Sequence, residues 1–275
     1  MTIPRIDVEW LAFKAGVKPA IRISAEPGSS LDIVARFSDA GASVVTRSGF
    51  MGEAREQRVL IYVARTIAEA EELRDIEAPL VRLGKHSPGK LEVENTSKLG
   101  IRLGYPACCV DAFSGRLAKR AAFRDPFDPV DDFVAARAAW VSRPDPRLNN
   151  LLLPVNARII TFEPCSYQCA RALAFADSVL ELALAHDPPS GRALLNLLSR
   201  DVVIAPDGVR AVVLQSAGGS IRSASSLAEI CGRTPEPPER VFAAALPAAR
   251  VYSDGAVIVS GWPDSLLVAF GGAPG

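Results

Sequence analysis

The sequence predicts an α+β fold with a small N-terminal α/β unit over residues 1–95, a helical cysteine-bearing region over 96–200, and C-terminal β-hairpins over 201–275. Two observations predict this class. In the first region short runs of β-branched residues alternate with helical periodicity, and the centre is mainly helical. Beyond Ser199 the apolar residues return as short runs separated by Pro, Asp and Gly, which indicates hairpins. The last region either stands alone or packs with the centre as one domain.

The N-terminal unit is predicted to contain three strands. They cover residues 20–24, 42–46 and 58–64, with a helix over about 30–39 between the first two. Thr66 and Glu69 form a capping-box pattern before a glutamate-rich helix that runs to about Glu77. Residues 84–96 contain Pro88, Gly89 and charges of both signs, so we expect a connection there.

The central region is predicted to begin with a cysteine-bearing helix. Pro106 suits the first turn of this helix, which continues through Leu117. Residues 131–141 predict another helix, and the apolar run over 157–162 predicts a buried strand. Pro164 is expected to begin a long helix that ends near Ala185.

The C-terminal region repeats a hairpin pattern. Runs over 201–204 and 209–214 flank a Pro-Asp-Gly turn, and runs over 249–252 and 256–259 flank a Ser-Asp-Gly turn. We also expect a short helix, a rigid proline-rich loop and a last strand, over residues 225–230, 235–238 and 266–270 respectively.

Charge and the N-terminal sequence limit the class of protein. Thirty-one Lys and Arg residues balance thirty-one Asp and Glu residues, which argues against a nucleic-acid binder that relies on a general basic field. The first residues lack the pattern of a signal peptide, and no apolar run is long enough to span a membrane. We therefore expect a cytoplasmic protein with no membrane partner.

The cysteines direct attention to one site. Four of the five form two close pairs, Cys108 with Cys109 and Cys165 with Cys169, while Cys231 stands alone. In a reducing compartment such pairs are more often metal ligands or redox centres than disulfides. If Pro164 begins a helix, Cys165 and Cys169 share one face with a stripe of apolar residues. That stripe comprises Ala172, Ala176, Val179, Leu180 and Ala183.

The sequence predicts a four-thiolate metal site at Cys108, Cys109, Cys165 and Cys169. A helix start favours thiolate over thiol, because unpaired N–H groups and the helix dipole stabilise the negative charge. Four thiolates suit either zinc or an iron–sulfur cluster. Adjacent cysteines point about 100° apart on a helix, which favours ligands on separate irons. We therefore expect an iron–sulfur cluster such as a four-iron, four-sulfur centre, with zinc as the alternative.

Two other functions stay open. A thiol–disulfide oxidoreductase would use one cysteine to attack and another to resolve. A non-catalytic binding or accessory module would carry structural cysteines or zinc. The substrate or partner would be a small molecule or a protein, and no feature identifies it.

Polar residues beside the cysteines are candidates to hydrogen-bond a ligand sulfur or to contact a substrate. Capping or packing is the alternative role for each. These residues are Tyr105, Asp111, Asn156, Arg158, Glu163 and Tyr167. Only two histidines, His86 and His186, are present, and no Gly-x-Ser-x-Gly sequence occurs, so serine–histidine hydrolysis is poorly supported.

The cysteine elements also carry a family resemblance. Residues 103–113 read Leu-Gly-Tyr-Pro-Ala-Cys-Cys-Val-Asp-Ala-Phe, and residues 164–169 read Pro-Cys-Ser-Tyr-Gln-Cys. Together they resemble a family of uncharacterised prokaryotic proteins, classified as a domain of unknown function, with a Leu-Gly-Tyr-Pro-x-Cys-Cys element. The strand and helix over 58–77 are similar to the region upstream of that element. The resemblance covers about residues 58–185, implies a shared cysteine site and supplies no established activity.

Overall fold

The computed structural model describes residues 7–51, 56–82, 90–123, 144–152, 157–205, 210–217, 220–230, 234–251, 256–259 and 262–268. The described residues form helices and two antiparallel sheets, which confirms the predicted α+β class. The chain divides into two compact units. The N-terminal unit comprises Glu9–Asp128 with Phe162–Cys165, and the C-terminal unit comprises Met1–Val8, Pro129–Thr161 and Ser166–Gly275.

The first part of the chain forms a three-stranded sheet with helices. Strand β3 lies between β1 and β2 and is antiparallel to both, so β1 and β2 run in the same direction. All three predicted strands are present. In chain order the elements are α1 Val8–Lys14, β1 Ile21–Ala25, α2 Pro27–Asp39, β2 Ser43–Met51, β3 Glu56–Ala64, α3 Ile67–Arg82, α4 Lys90–Arg102 and α5 Ala107–Phe123.

Strand β3 contributes side chains to a core on each face of this sheet. Alternate residues of a strand point to opposite faces, so both faces of β3 are covered. One core contains Leu60, Tyr62, Ala64, Ala70, Leu73 and Leu103, with Tyr105 packed against it. The other contains Phe13, Ile21, Phe37, Ile61 and Val63. Burial on both faces explains why β3 reads as a continuous apolar run.

Helix α4 corrects the predicted connection over 84–96. Residues 90–102 are helical, so that prediction is wrong for 90–96, while 84–89 lie outside the described residues. No Gly or Pro interrupts 90–99, and Glu94 and Lys98 have the i,i+4 spacing that supports a helix. The pair Pro88 and Gly89 therefore precedes a helix and does not mark a long loop.

Two predicted helix starts are confirmed. The Thr66 amide donates to Glu69 Oε2 at 2.9 Å and the Glu69 amide donates to Thr66 Oγ1 at 3.3 Å, which is the predicted capping box of α3. At α5 the amides of Cys109 and Val110 donate to the Pro106 carbonyl at 2.8 and 3.0 Å. The cysteine pair therefore lies in the first turn of α5.

The C-terminal unit contains a six-stranded antiparallel sheet in the order β6-β5-β4-β9-β8-β7. Both predicted hairpins form, with Val202 opposite Val212 and Val251 opposite Val257. Their turns lie outside the described residues. In chain order the elements are α6 Ala170–His186, α7 Pro188–Leu198, β4 Val202–Ile204, β5 Arg210–Ala217, β6 Ser220–Ser226, α8 Leu227–Ile230, α9 Pro237–Ala245, β7 Arg250–Val251, β8 Ala256–Val259 and β9 Trp262–Val268.

Helix α9 packs against this sheet and shares a hydrophobic core with its strands. Phe242 on α9 packs with Val203, Val213 and Ile221 of three neighbouring strands. Residues 235–238 were expected to form a surface loop, but α9 begins at Pro237. The prolines suit the first helical turn, and a Glu236–Glu239 capping box supports the helix start.

Two other predictions are wrong, and a third concerns residues that the structure does not describe. Residues 157–162 form no strand, although Ala157, Ile159 and Ile160 are buried, because an apolar run signals burial without specifying a partner strand. The last strand covers 262–268 and not 266–270. The helix predicted over 131–141 lies outside the described residues. No helix in the described part of the chain has the length and apolar character needed to cross a bilayer.

The turn between α4 and α5 offers a test of the packing around Gly104. Gly104 has φ +79°, and a Cβ there would lie 2.4 Å from Pro19 Cδ. Gly16 has φ +80° and nothing within 4 Å of the corresponding position. We expect Gly16→Ala to cost about 1–2 kcal/mol, from backbone strain alone. Gly104→Ala should cost about 1–3 kcal/mol more, because the methyl group overlaps Pro19.

Urea unfolding of both glycine variants measures these costs. Gly16→Ala serves as the matched control, since it shares the positive φ without the steric contact. Equal losses in the two variants would contradict the proposed role of the Gly104–Pro19 contact.

Candidate metal centre

Four cysteine sulfurs converge in the structure. The Sγ atoms of Cys108, Cys109, Cys165 and Cys169 all lie within 4.8 Å of one another. None of the four forms a disulfide. The Sγ atoms of the adjacent Cys108 and Cys109 lie 4.0 Å apart. The four cysteines are therefore close enough to bind a metal ion, as their pairing in the sequence predicts.

The first cysteine pair is positioned by the turn between α4 and α5. The Tyr105 amide donates to the Gly100 carbonyl at 3.0 Å, and the Pro106 carbonyl accepts the first hydrogen bonds of α5. A Cβ at Gly100 would lie 2.9 Å from Val110 Cγ2, so a glycine permits the close approach of the two helices. This packing sets the direction in which α5 leaves the turn.

The second cysteine pair does not lie on a helix. Residues 165–168 form bends and turns, and Cys169 is the N-cap of α6 with extended backbone angles. The prediction that Cys165 and Cys169 share one helical face is therefore wrong. The reason is local, because Ser166 accepts hydrogen bonds from the next residues. Its carbonyl accepts from the Cys169 amide at 3.1 Å and its Oγ from the Gln168 amide at 3.4 Å.

The apolar face predicted for the following helix is confirmed. It is buried along α6 and consists of Ala172, Ala176, Val179, Leu180 and Ala183. Cys169 adjoins the start of this helix and is 9% exposed.

Two aromatic rings connect the cysteine-bearing segments. The ring centroids of Tyr105 and Phe162 are 5.0 Å apart. Each ring lies three residues before a cysteine, Cys108 in one segment and Cys165 in the other. Sequence reasoning missed Phe162, although the repeated aromatic at this spacing was a visible signal. The ring contact brings the two segments together before the cysteines begin.

A buried lysine lies over the Tyr105 ring. Lys18 is 1% exposed, and its Nζ lies 5.1 Å from the Tyr105 ring centroid. The same ammonium group forms an ion pair of 2.5 Å with Glu9. A cation over an aromatic face is attracted by the ring electrons, so Lys18 helps to hold Tyr105 in place.

Cys109 is the most buried of the four cysteines and has a hydrogen-bond donor at its sulfur. Its exposed fraction is 1%, and the Cys165 amide donates to Cys109 Sγ at 3.4 Å. Donation to sulfur favours the charged thiolate, which is the form that binds metals. The backbone of one cysteine segment thus supports a cysteine of the other.

Tyr167 anchors the turn that contains the second pair. The buried Tyr167 hydroxyl donates to Asn150 Oδ1 at 2.6 Å, and the Asp145 amide donates to the Tyr167 carbonyl at 3.3 Å. The adjoining Asn149 amide side chain donates to the Leu198 carbonyl at 2.8 Å. The turn is therefore held at both its side chain and its backbone.

Arg147 adds a charged link beside this anchor. Its guanidinium group forms ion pairs with Asp145, at 2.6 Å, and with Asp177 on α6. Burial raises the pKa of Asp145, but the hydrogen bonds from the side chain and backbone of Arg147 outweigh this effect. The pKa of Asp145 therefore lies below its ordinary value.

The other predicted polar residues occupy varied environments. Tyr105 and Tyr167 have the packing roles described above. Asp111 is exposed on α5, whereas Arg158 and Glu163 are half-buried. A role for any of these five residues at a metal ligand or a substrate stays a prediction. Asn156, Cys231 and His86 lie outside the described residues, and His186 is exposed at the end of α6.

Comparison with family models, with curated proteins and with solved structures found no match to the chain. The resemblance to the Leu-Gly-Tyr-Pro-x-Cys-Cys family accordingly stays a prediction.

The Arg147 link predicts a specific pH dependence of stability. Because Asp145 has a lower pKa in the folded state, its contribution is present above the unfolded pKa of about 3.9. The contribution is lost as the pH falls through the folded pKa. In Arg147→Met the stability should therefore fall less steeply between about pH 5 and pH 2.

Urea unfolding across this pH range measures the effect, with a chelator present so that bound metal adds no pH dependence of its own. The exposed Arg192 on α7 provides a matched Arg192→Met control. Identical pH profiles for the wild type and both variants would contradict the role of Arg147.

Proposed function

We propose that this chain is a metal-binding protein in which Cys108, Cys109, Cys165 and Cys169 hold a single tetrahedral ion, with zinc as the preferred metal. The observation that carries the proposal is the mutual separation of the four sulfurs, at most 4.8 Å. The thiolate donor set is one that zinc accepts readily.

The separations favour one ion over the iron–sulfur cluster expected from the sequence. In a tetrahedral site with zinc–sulfur bonds of about 2.3 Å, the sulfurs lie about 3.8 Å from one another. In a four-iron cluster each thiolate binds a different iron, so the cysteine sulfurs lie roughly 6 Å apart. The 4.0 Å between Cys108 and Cys109 is close to the zinc value. The 100° divergence of adjacent cysteines on a helix therefore does not prevent them from sharing one ion.

The surroundings suit the charge of such a centre. Four thiolates around a divalent cation leave two negative charges uncompensated. The Cys165 amide donates to Cys109 Sγ, and Cys108 and Cys169 lie at the starts of helices α5 and α6. Helix starts stabilise negative charge through free N–H groups and the helix dipole. The backbone thus supplies positive potential to the site.

A centre with four protein ligands has a structural function. Zinc has no redox chemistry, and four thiolates leave no open position for water or substrate. Its contribution would be to cross-link the start of α5 to the turn before α6. This function agrees with the binding or accessory module that the sequence leaves open.

Metal analysis of the full chain tests the proposal. After anaerobic purification we expect about one zinc per chain and no visible absorption. Serine at any of Cys108, Cys109, Cys165 or Cys169 should lower the zinc content, because a ligand is lost. Cys231→Ser provides the matched control and should retain the metal.

Two other results of the metal analysis would overturn the choice of zinc or the metal site itself. Brown protein that contains iron and acid-labile sulfide would show that the site holds a cluster and not a single ion. Metal-free protein that binds neither added Zn²⁺ nor Co²⁺ under reducing conditions would contradict a metal centre altogether.

Tyr167→Phe tests whether the Asn150 hydrogen bond positions the second cysteine pair. Supporting hydrogen bonds around metal ligands typically change affinity by about 10–100-fold. We expect the loss of Co²⁺ affinity to lie near the lower end of that range, because the Asp145 amide still donates to the Tyr167 carbonyl. Titration of the visible cobalt–thiolate bands measures the affinity.

The control for this variant is Tyr62→Phe, which removes a buried hydroxyl from β3. It should leave the cobalt affinity unchanged. Equal affinities for Tyr167→Phe and the wild type would show that the hydroxyl does not position the ligands.

A further inference from the structure

We propose that the same centre is a redox switch, in which a peroxide converts Cys108 and Cys165 into a disulfide and thereby releases the bound ion. This inference rests on the proposed function, because it concerns how that ion is controlled. It assigns different roles to the four cysteines according to their accessibility and backbone environment.

The four cysteines differ in their exposure. Cys109 and Cys169 are buried, with 1% and 9% of their surface exposed, whereas Cys108 and Cys165 are half-buried. An oxidant in solution reaches accessible thiolates first, and oxidation of cysteine depends on both thiolate character and exposure. Cys108 and Cys165 are therefore the ligands that a peroxide attacks.

Geometry disfavours the alternative disulfide between Cys108 and Cys109. Adjacent Cα atoms lie about 3.8 Å apart, below the usual disulfide range of about 4.4–6.8 Å. Both residues also belong to the first turn of α5, and the backbone there would have to distort. A bond between them would therefore be strained.

Cys108 and Cys165 meet the requirements better. Their sulfurs lie within 4.8 Å, and a disulfide bond needs them at about 2.05 Å. Cys165 lies in a bend outside any helix, so its side chain can turn towards Cys108 without breaking a helical hydrogen bond. The two accessible cysteines are thus also close enough to join.

The oxidation balances with hydrogen peroxide as the oxidant. One thiolate attacks a peroxide oxygen, which forms a sulfenic acid and releases hydroxide. The second thiolate attacks the sulfenic sulfur, forms the S–S bond and releases another hydroxide. Two protons convert the hydroxides to water. The two sulfurs have lost two electrons in total, and the peroxide has gained them.

Disulfide formation removes half of the metal ligands. Only Cys109 and Cys169 stay as thiolates, and two ligands do not complete the tetrahedral site of a structural zinc. The ion therefore leaves. Reduction of the disulfide regenerates the two thiolates, so zinc can bind again.

The experiment uses the full chain loaded with zinc, both as wild type and as Cys231→Ser. Hydrogen peroxide is added in increasing amounts, a chromophoric chelator reports released zinc, and mass spectrometry of alkylated peptides identifies the disulfide. We expect one zinc released for each disulfide formed, and a link between the peptides that contain Cys108 and Cys165. A thiol reductant with added zinc should restore one zinc per chain.

Serine variants separate the two adjacent cysteines, which share a peptide. The cross-link to Cys165 should persist in Cys109→Ser and disappear in Cys108→Ser. A link that persists in Cys108→Ser, or a disulfide that joins Cys109 to Cys169 in the wild type, would overturn the assignment.

Failure of the switch can be told apart from failure of the metal site. Wild-type protein that binds zinc but retains it at peroxide levels that oxidise Cys231 would overturn the switch and leave the proposed function intact. Protein that binds no zinc before peroxide is added would contradict both.

Discussion

The packing of the Tyr105 ring against the Phe162 ring is the interaction on which the cysteine arrangement depends. It joins two segments that are distant in the chain, each three residues before a cysteine. Tyr105 also packs against the sheet core that contains Leu103. The buried ammonium group of Lys18 lies over the Tyr105 ring. The position of the first cysteine pair is therefore determined by the core of the N-terminal unit, because that core holds the ring to which the second segment attaches.

Close thiolates repel one another, so four neighbouring cysteine sulfurs favour a polar environment suited to negative charge. Helix starts at Cys108 and Cys169 and the amide donor at Cys109 Sγ contribute to that environment from the backbone. Backbone amides are fixed by the fold and do not titrate near neutral pH. The anchor at Tyr167 adds rigidity from a different part of the chain, because its hydroxyl and its carbonyl are both hydrogen-bonded.

The sequence predicted most strands and the cysteine helix, since these depend on local patterns. Pro106 before α5 and the Thr66–Glu69 capping box are signals within a few residues, and both were confirmed. The errors arose where local signals compete. Pro164 suggested a helix start, but Ser166 forms a turn and delays the helix to Ala170. Proline at 237 suggested a loop, although the first turn of a helix accepts proline equally well.

The sequence by itself determined the α+β class, the four cysteines of the candidate site and the buried face of α6, because residue type and periodicity specify each of them. Only the tertiary structure decided how far apart the sulfurs lie. That separation depends on a ring contact between distant segments, on a turn held by Asn150 and on the close approach of α4 to α5 at Gly100. Such distances are set by the packing of the whole core, and for this reason a count of cysteines could not predict them.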